Sequence, residues 1–331
     1  MKRITIVSIL VFILLAGLTL AQDEEWTCDG GPNDIVNAAQ AAYDNDDLET
    51  AWRLAAHAEL LCINDTTWFR QAQQLRRRLG RHRDILEMLA TAGPGKVNIG
   101  DYELSMNCVG EGSPTIIFEN GLGMGSILVW GDVLPAMSTV TRACRYDRLG
   151  LVPSDYVPVG MVRTTQNQVD DLAILLEIAE IEPPYVLVGH SIAGINILLF
   201  VDQYPDLVEG IVLVDASHPD QFNRWAEADP EVEAPVVGVP VPPEQIDFAT
   251  SFAQAAGIQD FGDRPLAVVT AGIGSDAIWM ELQEEFASYS TNSRHVIAEH
   301  SNHLIMDREP ELVIEAILWV LNEVRAAEES E

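Results

Sequence analysis

One short stretch of this chain carries residues suited to covalent chemistry. Gly189-His190-Ser191-Ile192-Ala193-Gly194 follows the apolar run Tyr185-Val186-Leu187-Val188 and leads into a second apolar run that reaches Phe200. The first run has the character of a buried strand and the second that of a helix, so Ser191 falls at the apex of a tight strand-to-helix turn. The pattern is close to Gly-x-Ser-x-Gly, where small residues on either side of the serine let the strand and helix backbones approach. Ala193 stands at the second small position, and Gly194 follows it. A hydroxyl presented on such a turn can act as a nucleophile if a base takes its proton and backbone donors meet the charge that develops. A serine that only caps the helix is the plainer alternative.

The elements around this turn are readable from the N-terminus onward. Lys2 and Arg3 precede an apolar run from Ile4 to Leu20, and Thr19-Leu20-Ala21 supplies small residues ahead of Gln22. A basic start, an apolar stretch and a small-residue cleavage point predict a secretory signal peptide over 1–21. Left uncleaved, the same run approaches the length of a membrane anchor. No cysteine follows it directly, so a lipoprotein signal has no support.

Removing 21 residues from 331 leaves 310, enough for one large domain and a small one. The net charge is −32, and loss of Lys2 and Arg3 makes it −34. A surface this acidic repels phosphate backbones and anionic membranes, which argues against nucleic acid as a partner. The four cysteines, Cys28, Cys62, Cys108 and Cys144, are an even set in a chain expected to be exported, which predicts disulfides. Spacing favours Cys28 with Cys62 and Cys108 with Cys144, with reduced buried thiols as the alternative. No Cys-x-x-Cys pair or His/Cys cluster has zinc-ligand spacing, so neither a metal nor a cofactor is expected.

Residues 22–92 read as a helical region. Ala38, Ala39, Ala42, Leu48, Ala51, Trp52, Leu54, Ala55, Ala58 and Leu61 recur at helical spacing, interrupted by Asn45-Asp46-Asp47. A third helix is expected after Asn64-Asp65-Thr66, through Trp68 and Phe69 toward Leu79. The alanine-rich pair resembles one tetratricopeptide-type hairpin. Arg76-Arg77-Arg78 to Arg81-His82-Arg83 is a basic cluster that can bind an anion or a protein partner, with pairing to the chain's own carboxylates as the favoured reading. Asn64-Asp65-Thr66 also matches a glycosylation acceptor.

Ala92-Gly93-Pro94-Gly95 marks a boundary, and 96–331 then alternates strands and helices. Strands are predicted at Lys96–Ile99, Tyr102–Val109, Thr115–Glu119, Thr141–Tyr146, Tyr185–Val188, Gly210–Val214, Pro265–Thr270 and Arg294–Ala298. Helices are predicted near Trp130–Met137, Thr165–Ala179, Trp279–Ser288 and Pro310–Val324, besides the one after Ser191. Repeated strand and helix units with near-continuous apolar strands predict a mostly parallel α/β sheet with helices on its faces. Ser217–Asp263 interrupts the alternation between the sixth and seventh strands. It holds Trp225, a proline-rich stretch Pro235–Pro243 and an expected helix near Glu244–Ala256, and reads as a small cap.

Residues 96–325 resemble the α/β-hydrolase superfamily, in its branch of small serine hydrolases and esterases. The resemblance rests on Ser113-Pro114-Thr115-Ile116-Ile117-Phe118-Glu119-Asn120-Gly121-Leu122-Gly123, Tyr146-Asp147-Arg148-Leu149-Gly150, the turn at Ser191, Val212-Leu213-Val214-Asp215-Ala216, and His303 ahead of Pro310. It implies an α/β-hydrolase fold of eight strands with the nucleophile after the fifth. It also implies His303 as the base, since it lies between the last strand and the last helix; His295 and His300 compete. For the acid, Asp215 at the end of the sixth strand is favoured over Asp276 after the seventh. The oxyanion donors would be the amides of Ile192, next to the nucleophile, and Leu122, in a loop where Asn120-Gly121 replaces the usual His-Gly. Asp147 and Arg148 are expected to brace the loops around the site.

The expectation is therefore an exported serine hydrolase acting on a small acyl substrate. An ester is the default bond; an aminopeptidase or thioesterase reaction on the same parts is the alternative. A protein of another class, an inert hydrolase fold that binds a partner through its helical region, would not need to keep a serine, a histidine, a carboxylate and a glycine loop together.

Overall fold

The computed structural model describes residues 95–328 except Asp132 and Pro230, together with Thr27, residues 30–31, 34–45, 47–48, 50–51 and 54–55, and residues 71 and 75. The expected signal peptide, Cys28, Cys62, the basic cluster and the glycosylation motif lie outside these. The chain divides into two compact units, Met1–Met88 and Leu89–Glu331. In the first, helix α1, Ile35–Asp44, starts where the Asp34 carboxylate accepts from the Asn37 amide and ends at Asn45. It buries Ile35, Val36 and Ala39.

In the larger unit eight strands form one sheet: β1 (Lys96–Asn98), β2 (Glu103–Val109), β3 (Thr115–Glu119), β4 (Ala143–Asp147), β5 (Tyr185–His190), β6 (Val208–Val214), β7 (Leu266–Ala271) and β8 (Ser293–Ala298). Their spatial order is β1-β2-β4-β3-β5-β6-β7-β8. Only β2 runs antiparallel to its neighbours. Strands β3, β4, β5 and β7 are buried along their whole length, and β6 is buried at every position but Glu209, as expected when helices cover both faces. Cys108 and Cys144 face each other in the β2–β4 register and form a disulfide.

Side-chain alternation sorts the two faces. Ile211 and Leu213 of β6 join a core with Leu187 and Ile117, beneath α4 (Thr165–Ile178), α5 (Ala193–Gln203) and the cap helix α7 (Phe248–Ala255). Gly210 faces the other way. A Cβ there would lie 2.4 Å from Val320 of the last helix, α10 (Pro310–Glu328), so the glycine lets that helix approach the sheet. The single helix expected near Trp130–Met137 is instead two short ones, α2 (Ser126–Trp130) and α3 (Val133–Met137).

The cap departs most from expectation. It contains an unforeseen helix, α6 (Gln221–Ala228), and a two-stranded ribbon, Pro240–Val241 with Ile246–Asp247. Its second helix begins at Phe248 and not at Glu244, because Asp247 caps it by accepting from the Thr250 amide. Glu244 is fully buried and bound elsewhere. The remaining helices are α8 (Ala277–Ala287) and α9 (Ile305–Arg308). No helix among the described residues is long and apolar enough to cross a membrane.

Candidate active site

At the carboxyl end of β5 the chain turns sharply into α5, and Ser191 takes a left-handed conformation with φ +57°. That geometry costs a non-glycine residue on the order of 1 kcal/mol or more, and the surroundings hold it. The Ser191 amide donates to Val214 O at 3.3 Å, and its carbonyl accepts from Ser217 N at 2.7 Å and Gly194 N at 2.9 Å. A Cβ on Gly189 would lie 2.4 Å from Ile197, and one on Gly194 would lie 2.7 Å from Ser217 O. The tight contact with the segment that follows β6 falls on Gly194, which explains why alanine is tolerated at 193. The start of α5 also directs backbone N–H groups and the positive end of the helix dipole toward the turn.

Three side chains from distant parts of the sequence meet there. His303 Nε2 lies 2.9 Å from Ser191 Oγ, and His303 Nδ1 lies 2.6 Å from Asp215 Oδ2. With Nδ1–H donating to the carboxylate, Nε2 is left as an acceptor facing the serine hydroxyl. The His303 side chain is 46 % exposed while that of Asp215 is 4 % exposed, so the imidazole is open to a ligand and its partner is not. Asp215, itself left-handed at φ +44°, also accepts from the Trp279 indole N–H at 2.8 Å and the Ala271 amide at 3.0 Å. Burial alone would raise its pKa; His303, the indole and the amide more than offset that and hold it below the ordinary carboxylate value.

His190 supports His303 from behind. Its Nε2 donates to the His303 carbonyl at 2.8 Å, and the two rings lie 4.5 Å apart. Burial, reinforced by the neighbouring His303, pushes its pKa down to about 3, so His190 is a neutral ring. Its Nδ1 is buried without a hydrogen-bond partner among the described residues, beside Gly121, where a Cβ would come within 2.8 Å.

The loop after β3 brings Gly121 against the turn: a Cβ on it would lie 3.4 Å from Ser191 Cβ. Neither the Leu122 nor the Ile192 amide donates to a protein acceptor among the described residues, so both are available to an anionic oxygen. Beneath the loop, Asn196 Nδ2 donates to Glu119 Oε1 at 2.6 Å and to Gln168 Oε1 at 2.7 Å. Gln168 Nε2 in turn reaches Glu244 Oε2 at 3.2 Å. Burial raises the Glu119 pKa, partly countered by Arg148 and Asn196.

The competing candidates have other partners. Asp276 caps α8 through the Trp279 amide at 2.7 Å and accepts from the Trp225 indole at 3.0 Å. His295 sits on β8 against Thr270, and the His300 amide is bound to Glu309. Sequence reasoning missed Trp279, His190 and Glu244. For His190 its place beside Ser191 was an available signal; for the other two no local pattern exists. A cleft of about 390 Å³ lined by Cys108, Glu111, Arg142 and Glu182 opens near the amino ends of β3, β4 and β5, away from this chemistry. Among the described residues no cluster of three or more His, Cys, Asp or Glu is placed to hold a metal ion.

The family model described as alpha/beta hydrolase fold matches residues 114–250, from just before β3 into the cap. With the sheet order and the turn after β5, this match shows that the chain has the α/β-hydrolase fold. Among curated proteins it is 27% identical over 302 residues to efuK of Hormonema carpetanum, whose name refers to transport; the match covers 70% of this chain and 43% of that protein. It is 29% identical over 140 residues to pyrrolizixenacetamide deacetylase of Xenorhabdus hominickii, covering 40% of this chain and 51% of the relative. The chain thus spans about half or less of these two relatives. Among solved structures, lip1 of Acinetobacter baumannii, described as a lipase, superposes with a TM-score of 0.56 at 21% identity, covering 74% of this chain and 97% of that one.

Proposed function

We propose that the protein is an exported serine hydrolase that cleaves a carboxylic ester through an acyl-serine intermediate. The observation that carries this is the row Ser191–His303–Asp215, joined by hydrogen bonds of 2.9 and 2.6 Å. In the reaction, Ser191 Oγ bonds to the carbonyl carbon as its proton passes to His303 Nε2. Asp215 holds the imidazole by Nδ1 and stabilises its charge. The carbonyl oxygen, now anionic, takes hydrogen bonds from the Leu122 and Ile192 amides. The bond to the alcohol breaks as His303 returns the proton to the leaving oxygen. Water, deprotonated by the same imidazole, then releases the acid and restores the serine. No metal or cofactor is needed for this cycle.

The lipase-like neighbour favours an ester, and the name of the deacetylase relative supports an amide as the second substrate class. Export is favoured by the basic and apolar start of the chain and by the Cys108–Cys144 disulfide, since disulfides persist in oxidising compartments. The test is labelling by a fluorophosphonate, with hydrolysis of nitrophenyl esters measured alongside. Wild type should be labelled and active, and Ser191→Ala should lose labelling and at least about 10³-fold in turnover. Equal labelling of both proteins, or none of either, would refute the proposal.

A further inference from the structure

Arg148 is a buried cation whose hydrogen bonds converge on the loop that carries Leu122. It donates through Nη1 to the Asn120 carbonyl at 2.7 Å and through Nη2 to the Gly121 carbonyl at 3.0 Å. Its other bonds go to two carboxylates: in the cap, Nε meets Glu244 Oε2 at 2.6 Å and Nη2 meets Oε1 at 3.0 Å, while on β3 Glu119 Oε1 lies 3.5 Å from Nη1. Glu244 Oε1 in addition accepts from the Gly123 amide at 2.9 Å. Burial would lower the Arg148 pKa, but the carboxylates of Glu244 and Glu119 more than offset it and keep the guanidinium charged.

These contacts determine the direction of one N–H bond. The carbonyl and the N–H of a trans peptide point in opposite directions. Holding Gly121 O on Arg148 therefore turns the Leu122 N–H away from Arg148. The next peptide is held as well, because its Gly123 N–H is drawn to Glu244. Leu122 thus sits between two peptides whose rotations are blocked by one ion pair, and Gly121 rests against the Ser191 turn. Asn120 cannot drift either: its side chain donates to Tyr146 O and accepts from the Trp130 indole, each at 3.0 Å.

We propose that Arg148 and the cap residue Glu244 are positioning residues that aim the Leu122 amide at the reacting oxygen. This rests on the acyl-serine reading above and assigns the cap a part in building the oxyanion site beneath it. The loop glycines leave the backbone free to rotate, and the ion pair removes that freedom before substrate arrives.

The full chain is compared with the double variant Arg148→Met/Glu244→Met, which removes both charges of the pair together; Glu119 loses its 3.5 Å contact with Arg148 and keeps its hydrogen bond from Asn196. With nitrophenyl butyrate, kcat should fall about 100-fold, the scale of one lost oxyanion donor, while KM stays within about threefold. Inhibition by an alkyl trifluoromethyl ketone, whose adduct with serine carries the oxyanion, should weaken in parallel with kcat/KM. Inhibition by the matching methyl ketone should not change. A folded double variant with wild-type kcat, or one that changes only KM, overturns the proposal. Failure of fluorophosphonate to label wild type would instead remove the hydrolase reading itself. Should the double variant not fold, a crystal structure of wild type with a boronate on Ser191 decides. The adduct oxygen is expected on Leu122 N with Gly121 O still on Arg148; an oxygen turned from Leu122 N, or a released Gly121 carbonyl, rejects the proposal.

Discussion

The two flanks of Ser191 are held by different physics. On the acid flank, Asp215 is surrounded by neutral N–H donors, and the cap reaches it through stacked aromatics: Trp225 of α6 stacks on Trp279 with centroids 5.9 Å apart and an interplanar angle of 10°. On the oxyanion flank, the cap reaches the loop through a buried ion pair, with Arg148 and Glu244 both at most 3 % exposed. Aromatic stacking is tolerant of small displacements. A bidentate guanidinium–carboxylate pair fixes direction as well as distance. In the proposed reaction, the flank that would aim a backbone N–H has the more directional device, and the flank that would only balance charge has the softer one.

Breaking the acid flank at its centre should give the largest effect. Asp215→Asn keeps the shape but loses the charge and favours the wrong imidazole tautomer, so kcat should fall about 10³- to 10⁴-fold. Asp276→Ala, which removes a helix cap and the acceptor of the Trp225 indole N–H, should leave kcat unchanged and cost about 1 kcal/mol or somewhat more of stability. Measuring kcat and the thermal midpoint of both variants separates the two carboxylates, and the opposite pattern would assign the acid to Asp276.

A smaller effect is expected one step out. Trp279→Phe keeps an aromatic against Trp225 while removing the indole N–H from Asp215. A hydrogen bond to a charged group contributes about 1.5–3 kcal/mol; with the Ala271 amide still in place, about a tenfold loss in kcat is expected, with little change in KM. Unchanged kcat would show that the indole serves packing alone.

On the flank of the Leu122 loop the expected effect is on stability with pH, with the least effect on turnover. Asp147, adjacent to Arg148, accepts from Ser126 N at 2.6 Å and Ser126 Oγ at 2.9 Å. Burial, only partly countered by Ser126 and the arginines, raises its pKa from 3.8 to about 6. A carboxyl raised on folding contributes stability that is full below pH 3.8 and lost as pH rises through about 6. The shift corresponds to about 3 kcal/mol. The stability of wild type relative to Asp147→Asn should therefore decline between pH 4 and 7, which denaturant unfolding at each pH reads directly. A flat difference would mean that the carboxyl titrates at its ordinary value.

The fold and the row at Ser191 were legible because each leaves a local signature. Continuous apolar runs mark β3, β5, β6 and β7, a small-residue turn marks Ser191, and Asp215 and His303 follow the ends of predicted strands. What stayed hidden has no local signature. Glu244 pairs with Arg148 across 96 residues and Trp279 meets Asp215 across 64; neither pairing has a spacing to detect. Helix α6 escapes sequence reading because it is only eight residues long: its apolar face is just Phe222, Trp225 and Ala226, too short a run to establish a helical period. Glu244–Ala256 was read as one helix because Glu244 is a good helix former. Its side chain is committed to Arg148, and the helix waits for Asp247.

The parallel indoles leave the molecule with a gauge of its own. Trp225 rides on α6 and Trp279 on α8, so any substrate that lifts α6 must part the two rings. Their shared near-ultraviolet dichroism and emission would then change at the moment of entry, and the opening of the site could be followed in unlabelled protein.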